Sequence, residues 1–367
     1  GDIMAHKENF SMKDYSIIWD DVRNIIKNSD FSFANLETVV DDSSENQTYP
    51  RFSVHSSYAE EAIKAGFNVF SLANNHINDH GLKGISSTKK WAENAASQFA
   101  ENSASQKAVP EQRPLYFSGL RNSGEDFSYC IIKKGNWKIL YMAVTELLNQ
   151  YSYTSYINFV EPSQKGRNLF IQQLKNLRSK NECDLFILSM HTAEAEYVFE
   201  TSQKQNQYYT DLINEADVDI IWANHVHVVK PWSLVVNQKN GKPEKLIMRA
   251  NGNTISGQRW NPQFSEPETP RDYTGDGLIM HVTFSKKVYN DASETALFAH
   301  ESEKAEITSI EPIFITTYIT PEQNFVIKKL DDNFIQTLEN QNRKTWAGYI
   351  RERKKLMEKI EGNIIWN

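Results

Sequence analysis

The chain has 367 residues, of which 40% are hydrophobic, 24% charged and 12% aromatic. That profile excludes a disordered chain, and the length suits one large α/β domain or two ordinary ones. A formal charge of −7 argues against general nucleic-acid binding through phosphates, and no run of eighteen apolar residues is present to form a membrane-crossing helix. Cys130 and Cys183 both lie beside apolar runs and read as buried free thiols, not as a disulfide framework or a thiolate metal site. No signal-peptide pattern occurs, but the chain opens on Gly1, so targeting is not legible here.

Residues 1–10 form a loop-like start that carries Asp2 and His6. Ile17, Ile18, Trp19, Val22, Ile25 and Ile26 give residues 15–28 a helical face. A short strand over 31–34 leads to Asn35 and Glu37, and residues 41–49 read as an exposed polar loop. A helix over 58–65 stops at Gly66, and a strand over 67–73 runs straight into Asn74, Asn75 and His76. A helix over 84–101 is followed by a Ser/Ala/Gln/Pro-rich connection to 114. Strands over 127–132 and 138–144 form a hairpin about a Gly135-Asn136 turn. A helix over 166–180 precedes a strand over 184–190 that ends in His191. A helix over 208–216 precedes the apolar run 218–223, which ends in Asn224-His225-Val226-His227. A strand over 246–250 ends in Asn251-Gly252-Asn253.

Beyond residue 258 the texture changes. Residues 260–276 form a Pro-, Glu- and Gly-rich loop, strands over 278–285 and 310–319 close a second sheet, and 334–360 is a helical tail. Its Arg351-Glu352-Arg353-Lys354-Lys355 run reads as the solvated face of that helix.

Alternating strands and helices predict an α/β fold. Several strands end in Asn, Glu or His, and such residues converge at the carboxyl rim of a parallel sheet, where α/β folds bind ligands. Alternation along a strand aims both imidazoles of His225 and His227 the same way; the plain alternative is two polar residues in a loop. Carboxylate, amide and imidazole donors without thiolate suit Mn, Fe, Zn or Mg, with enough donors for two ions about a shared carboxylate. Two such ions stabilise in-line attack on a phosphoryl group, and a nearby histidine protonates the leaving group.

These residues carry a family resemblance. Asp2, Glu37, Asn75-His76, His191 and His225-Val226-His227 follow the order of the calcineurin-like metallophosphoesterase signature. More closely, the chain resembles the CapA family of poly-γ-glutamate capsule synthesis proteins. The matching pieces are Gly1-Asp2-Ile3-Met4, Ala34-Asn35-Leu36-Glu37, Leu72-Ala73-Asn74-Asn75-His76 with Asp79 and Gly81, His191, His225-Val226-His227-Val228-Val229 with Pro231, and Asn251-Gly252-Asn253. The resemblance spans residues 1–257.

The resemblance implies a four-layer α/β/β/α sandwich over residues 1–320, with a C-terminal helical extension over 321–367 packed on it. It implies two divalent ions (Mn, Fe or Zn). Asp2 would ligate the first, Glu37 would bridge, Asn75 would ligate the second, and His191, His225 and His227 would complete the shell. His76 would be the acid or transition-state stabiliser, and Asn35, Asn74 and Asn253 would meet the substrate. It further implies an anionic polymer or phosphoester substrate, the bacterial cell envelope as location, and other capsule synthesis proteins at the membrane as partners.

The chain departs from the pattern in places. Met4 stands where the phosphoesterase pattern has histidine, with His6 as an alternative ligand or a surface residue. Glu37 replaces an aspartate. Thr192-Ala193 replace Trp-Gly after His191, and Glu196-Tyr197 fall one residue late. The family's first strand would precede Gly1, so Asp2 is expected to be loosely held. Three readings follow: a metal-dependent hydrolase, a non-catalytic accessory protein with a degenerate metal site, and a structural domain whose polar strand ends bind one another. An anionic polymer needs local positive charge. Lys83, Lys230, Arg249 and Arg259 lie near the site stretches and either supply it or serve solubility.

Overall fold

The computed structural model describes residues 1–104, 113–290 and 301–366. Much of the polar connection expected ahead of residue 114 lies outside the described residues.

Two large sheets organise the chain. The first has five parallel strands in the order Asn253–Ile255, Asp2–Ile3, Phe33–Leu36, Val69–Ser71 and Tyr116–Ser118. The second has seven, in the order Asn363–Trp366, Trp232–Asn237, Lys242–Met248, Ile220–Asn224, Leu185–His191, Trp137–Thr145 and Tyr129–Lys134. Its four central strands, from Lys242–Met248 to Trp137–Thr145, are parallel. Strands covered on both faces read as unbroken apolar runs, and every residue of Leu185–His191 is buried.

The sheets face one another across a core of Val69 and Ala73 from the first and Tyr141, Ile187, Trp222 and Met248 from the second. Phe33 reaches across it, its ring edge-on to Tyr141 at 5.5 Å and to Trp222 at 6.2 Å. The outer face of the seven-stranded sheet is covered by helices Gln164–Lys180 and Gln203–Glu215 through Phe170, Leu174, Tyr209 and Leu212. The outer face of the other sheet meets helix Ser56–Ala65 through Tyr58, Ala59 and Ala62. That helix ends where the sequence requires, at Gly66 with φ 115°, a left-handed backbone open to glycine. The 129–145 hairpin also turns at Gly135, with φ 57°.

Four expectations change. Residues 15–28 split into a 3-10 turn, Ser16–Trp19, and a helix, Arg23–Asn28. Asp21 between them accepts a hydrogen bond from the Lys329 backbone N–H at 2.8 Å, so tertiary pairing overrides the helical period. Strands Asp276–Asn290 and Glu301–Ile319 pair with each other and with Phe325–Lys329 in a separate antiparallel sheet instead of closing the second one. The helical tail is two helices, Asp332–Asn340 and Lys344–Met357, parted at Asn342, whose φ is 57°. The chain then returns as strand Asn363–Trp366, parallel to Trp232–Asn237. Finally, Cys130 and Cys183 are free but only half-buried.

The last two helices place Phe334, Leu338, Trp346 and Ile350 in the same apolar cluster as Ile3 and Leu36. The basic run is not uniformly solvated, because Arg353 is fully buried and donates to Asp276 Oδ2 at 2.7 and 2.5 Å.

Candidate metal centre

Both sheets deliver side chains to one point. Asp2 lies in register with Asn35 on one side and Asn253 on the other. Glu37 follows one of these strands, and Asn74, Asn75 and His76 follow Val69–Ser71. From the second sheet come His191, the last residue of its strand, and His225 and His227 just past Asn224. Asp2, Glu37, Asn75, His76, His191, His225 and His227 are all buried.

Alternation along a strand does not bring His225 and His227 together, because the strand ends at Asn224. Both histidines instead have left-handed backbones, φ 103° and 58°, which cost a non-glycine residue on the order of 1–3 kcal/mol each. The loop is pinned by Tyr197 N–H donating to Val226 O at 2.9 Å and by packing of Val226 and Val228 on Ala250. The two rings end 5.9 Å apart.

His191 Nε2 is the hub. It lies 2.9 Å from Asn75 Oδ1, 3.2 Å from His225 Nδ1 and 3.7 Å from Glu37 Oε1. On the other side of Glu37, His227 Nε2 is 3.8 Å from the same Oε1, while His227 Nδ1 is 3.3 Å from Asp2 Oδ2 and 3.0 Å from Asn253 Oδ1. Three sets of donors therefore converge: Asp2, Glu37 and His227; Glu37, His191 and His225; and Glu196, His225 and His227, with donor atoms within 4.8 Å of one another in each set. Glu37 belongs to two of them.

Electrostatics favours ligand states. Burial, reinforced by His225, holds the His191 ring well below the usual imidazole range. Burial, reinforced by His227, lowers His225 to about 3. Both rings are thus neutral near pH 7, with lone pairs to donate. Burial and the charge of Asp2 push the Glu37 carboxyl well above its usual range. Burial acts the same way on Asp2, but the hydrogen bond and charge of His227 hold it below the carboxylate range.

Glu37 Oε1 is buried and makes no hydrogen bond. An orphaned carboxylate oxygen carries a large desolvation cost unless a cation meets it. Oxygen and imidazole donors without thiolate suit Mn, Fe or Zn, so the residues fit divalent metal.

His76 stands beside this cluster in a different setting. Its Nδ1 is 2.7 Å from Asp79 Oδ2 and 3.0 Å from Asn149 Nδ2. Phe52 lies edge-on to the ring at 4.6 Å, and its backbone N–H donates to Asp79 Oδ2 at 2.8 Å. The asparagines expected at the substrate each hydrogen-bond within the protein. Asn35 donates to Asp2 Oδ1 at 2.8 Å, Asn74 donates to Leu36 O at 2.8 Å, and Asn253 donates to Gln258 Oε1 at 2.9 Å and Thr274 O at 2.8 Å.

Asp2 is not loosely held: it is buried, its strand pairs with a neighbour on each side, Asn35 donates to its Oδ1 at 2.8 Å and His227 Nδ1 lies 3.3 Å from its Oδ2. His6 is half-buried and outside the three donor sets; its Nδ1 accepts from Gly257 N–H at 3.1 Å. The four cations named from sequence do not line the site freely. Arg259 is buried on Asp276 and Thr316, Lys230 pairs with Glu194, Arg249 binds Asn206 and Ser233, and Lys83 pairs with Asp41.

Sequence reasoning missed Asn149 and the donor role of Glu196. Asn149 lies four residues past strand Trp137–Thr145, where polar residues beyond a strand end were the signal sought elsewhere. Its amide links His76, Asp79 and Asn75.

A pH prediction follows for the metal-free protein. Between about pH 6.5 and about 3, the unfolded chain takes up a proton at His225 and the folded chain does not. Stability therefore falls on acidification, at up to about 1.4 kcal/mol per pH unit from this group. Thermal midpoints from about pH 7 down to about pH 5 should fall less steeply for His225→Asn than for wild type. Parallel curves would refute this.

Among solved structures, a hypothetical protein from Thermus thermophilus is 13% identical, with a TM-score of 0.40 over 90% of this chain and 95% of that one. A 5'-nucleotidase precursor from the same organism is 12% identical, with a TM-score of 0.34 over 81% of this chain and 45% of that one. At these scores neither likeness bears on what the site does. The capsule biosynthesis protein CapA of Bacillus anthracis is 25% identical over 272 residues, which are 71% of this chain and 59% of that protein. The sequence profile of the bacterial capsule synthesis protein family PGA_cap matches residues 1–258, more than two-thirds of the chain and all of the site described above, and the chain belongs to that family.

Proposed function

We propose that the chain is a metal-dependent hydrolase of capsule biosynthesis, of the calcineurin-like phosphoesterase type. In this reading its two sheets and their helix layers form the four-layer sandwich of that superfamily. It acts at the bacterial cell envelope, beside other capsule synthesis proteins at the membrane, on a phosphoester or an amide-linked anionic polymer such as poly-γ-glutamate.

The observation that carries this reading is the orphaned Glu37 Oε1 between His191 and His227. Asp2, Glu37 and His227 would hold one ion, and Glu37, His191, His225 and Asn75 the other. Two such ions supply Lewis acidity to the scissile group. His76 donates a proton from Nε2 to the leaving group while Asp79 holds Nδ1 and orients the ring. Phe52 covers the ring and limits water access. Asn35, Asn74 and Asn253 act on the substrate through the ligands they orient.

One observation favours a second reading, a non-catalytic accessory role. Met4, buried, occupies the place of a ligand histidine, and His6 is committed to Gly257. Turnover separates the two. Metal-loaded wild type should hydrolyse a phosphodiester or a γ-linked glutamate polymer, and His76→Ala should lose about 10²–10⁴-fold of the rate with metal content unchanged. Absence of turnover on both substrate classes, with metal bound, supports the accessory role.

A further inference from the structure

The chain is acidic overall; of the cations first suspected near the site, Lys83, Lys230 and Arg259 are ion-paired, and half-buried Arg249 is hydrogen-bonded to Asn206 and Ser233. Two exposed arginines are different. Arg51 and Arg271 have no ion-pair partner among the described residues. Each is anchored by a single guanidinium N–H to a main-chain carbonyl of the site's own scaffold.

Arg51 Nε donates to Asp79 O at 2.7 Å, and Asp79 holds His76. Arg271 Nη1 donates to Gln258 O at 3.1 Å. Gln258 in turn accepts from Asn253, whose Oδ1 meets His227. One arginine is thus one residue removed from His76, and the other is two removed from His227. A guanidinium fixed at one nitrogen keeps further N–H donors in a rigid fork suited to a carboxylate or phosphate. An uncompensated cation on an acidic chain is a local reversal of field, and at the rim of a site it selects anions.

We propose that Arg51 and Arg271 are two anion-binding positions flanking the metal centre. The ligand is then an extended chain with one anionic group engaging Arg51 on the His76 side and another engaging Arg271 on the His227 side. A single small anion satisfies only one of them. The inference takes from the proposed function only the location of the site and does not depend on turnover.

The test is equilibrium binding by calorimetry to the metal-loaded protein. The probes are a γ-linked hexaglutamate, a linear polyphosphate of similar length, and free glutamate as a short control. Arg51→Gln and Arg271→Gln should each weaken one or both oligomers about tenfold, the double variant should weaken them more, and free glutamate should change far less in the single variants. Arg51→Lys and Arg271→Lys should recover only part of the loss, because an ammonium keeps the charge but not the fork, and Lys83→Gln should bind as wild type. Which oligomer responds identifies carboxylate or phosphate as the flanking group. The proposal is overturned if wild type binds neither oligomer, or if both glutamine variants bind within about twofold of wild type. Binding that needs both arginines in a protein without turnover would leave this inference standing and sink the hydrolase.

Discussion

Asp276→Ala is expected to destabilise the protein by about 3–5 kcal/mol, a large share of the stability of an ordinary domain. Asp276 is completely buried and serves two buried arginines. Its Oδ1 accepts from Arg259 Nη1 at 2.9 Å and Thr316 Oγ1 at 2.6 Å, while Oδ2 accepts from Arg353. Arg353 also lies 3.9 Å over the Tyr273 ring. These contacts tie helix Lys344–Met357 to the start of strand Asp276–Asn290 and to the loop carrying Arg259. Removing the carboxylate strands two cations away from water, whereas Arg353→Met removes one cation and leaves Asp276 its pair with Arg259. The aspartate substitution should therefore be the more costly, which urea denaturation midpoints would reveal. A loss below about 1 kcal/mol for Asp276→Ala would show that the network is not what holds the helix in place.

The second large effect concerns Glu37 and has opposite signs with and without metal. In metal-free protein, Glu37→Gln replaces a buried carboxylate with an orphaned oxygen, next to Asp2, by a neutral amide of the same shape. Stability should rise, because the buried Glu37 site disfavours the charged carboxylate that the unfolded chain carries, and a neutral amide removes that cost. Added metal at about 100 times its dissociation constant should stabilise wild type by about 2.7 kcal/mol, and the variant far less. Glu37 takes part in two donor sets, so its loss should weaken both ion positions together. Loss of Asp2 should spare the set formed by Glu37, His191 and His225.

Much of this centre was legible in the sequence because strands announce themselves as short apolar runs, and their next polar residues land on one rim. The run before His225 and the strand ending in His191 are the clearest cases. Convergence itself was not legible from alternation. It depends on left-handed backbones at His225 and His227, held by the Tyr197–Val226 hydrogen bond and by packing on Ala250. The support of His76 by Asn149 depends on a contact 73 positions away in sequence. Likewise, a run of five charged residues reads as solvated on average, yet Arg353 in its middle is buried because Asp276 waits beneath it. The tail departs for two reasons: the wholly polar stretch 339–345 breaks at Asn342, whose backbone is left-handed, and the chain beyond the second helix pairs with the distant strand Trp232–Asn237. The pairing of strands Asp276–Asn290 and Glu301–Ile319 was likewise set by each other, not by the sheet beside them.

The central claim is that Glu37 binds divalent metal together with the histidines around it. The most direct test is metal content per chain, measured on wild type and Glu37→Gln purified side by side without chelator. Wild type should carry about two Mn, Fe or Zn ions per chain, with a large loss in the variant. No bound metal in wild type, with the variant indistinguishable from it even after Mn or Zn is added, would contradict the claim.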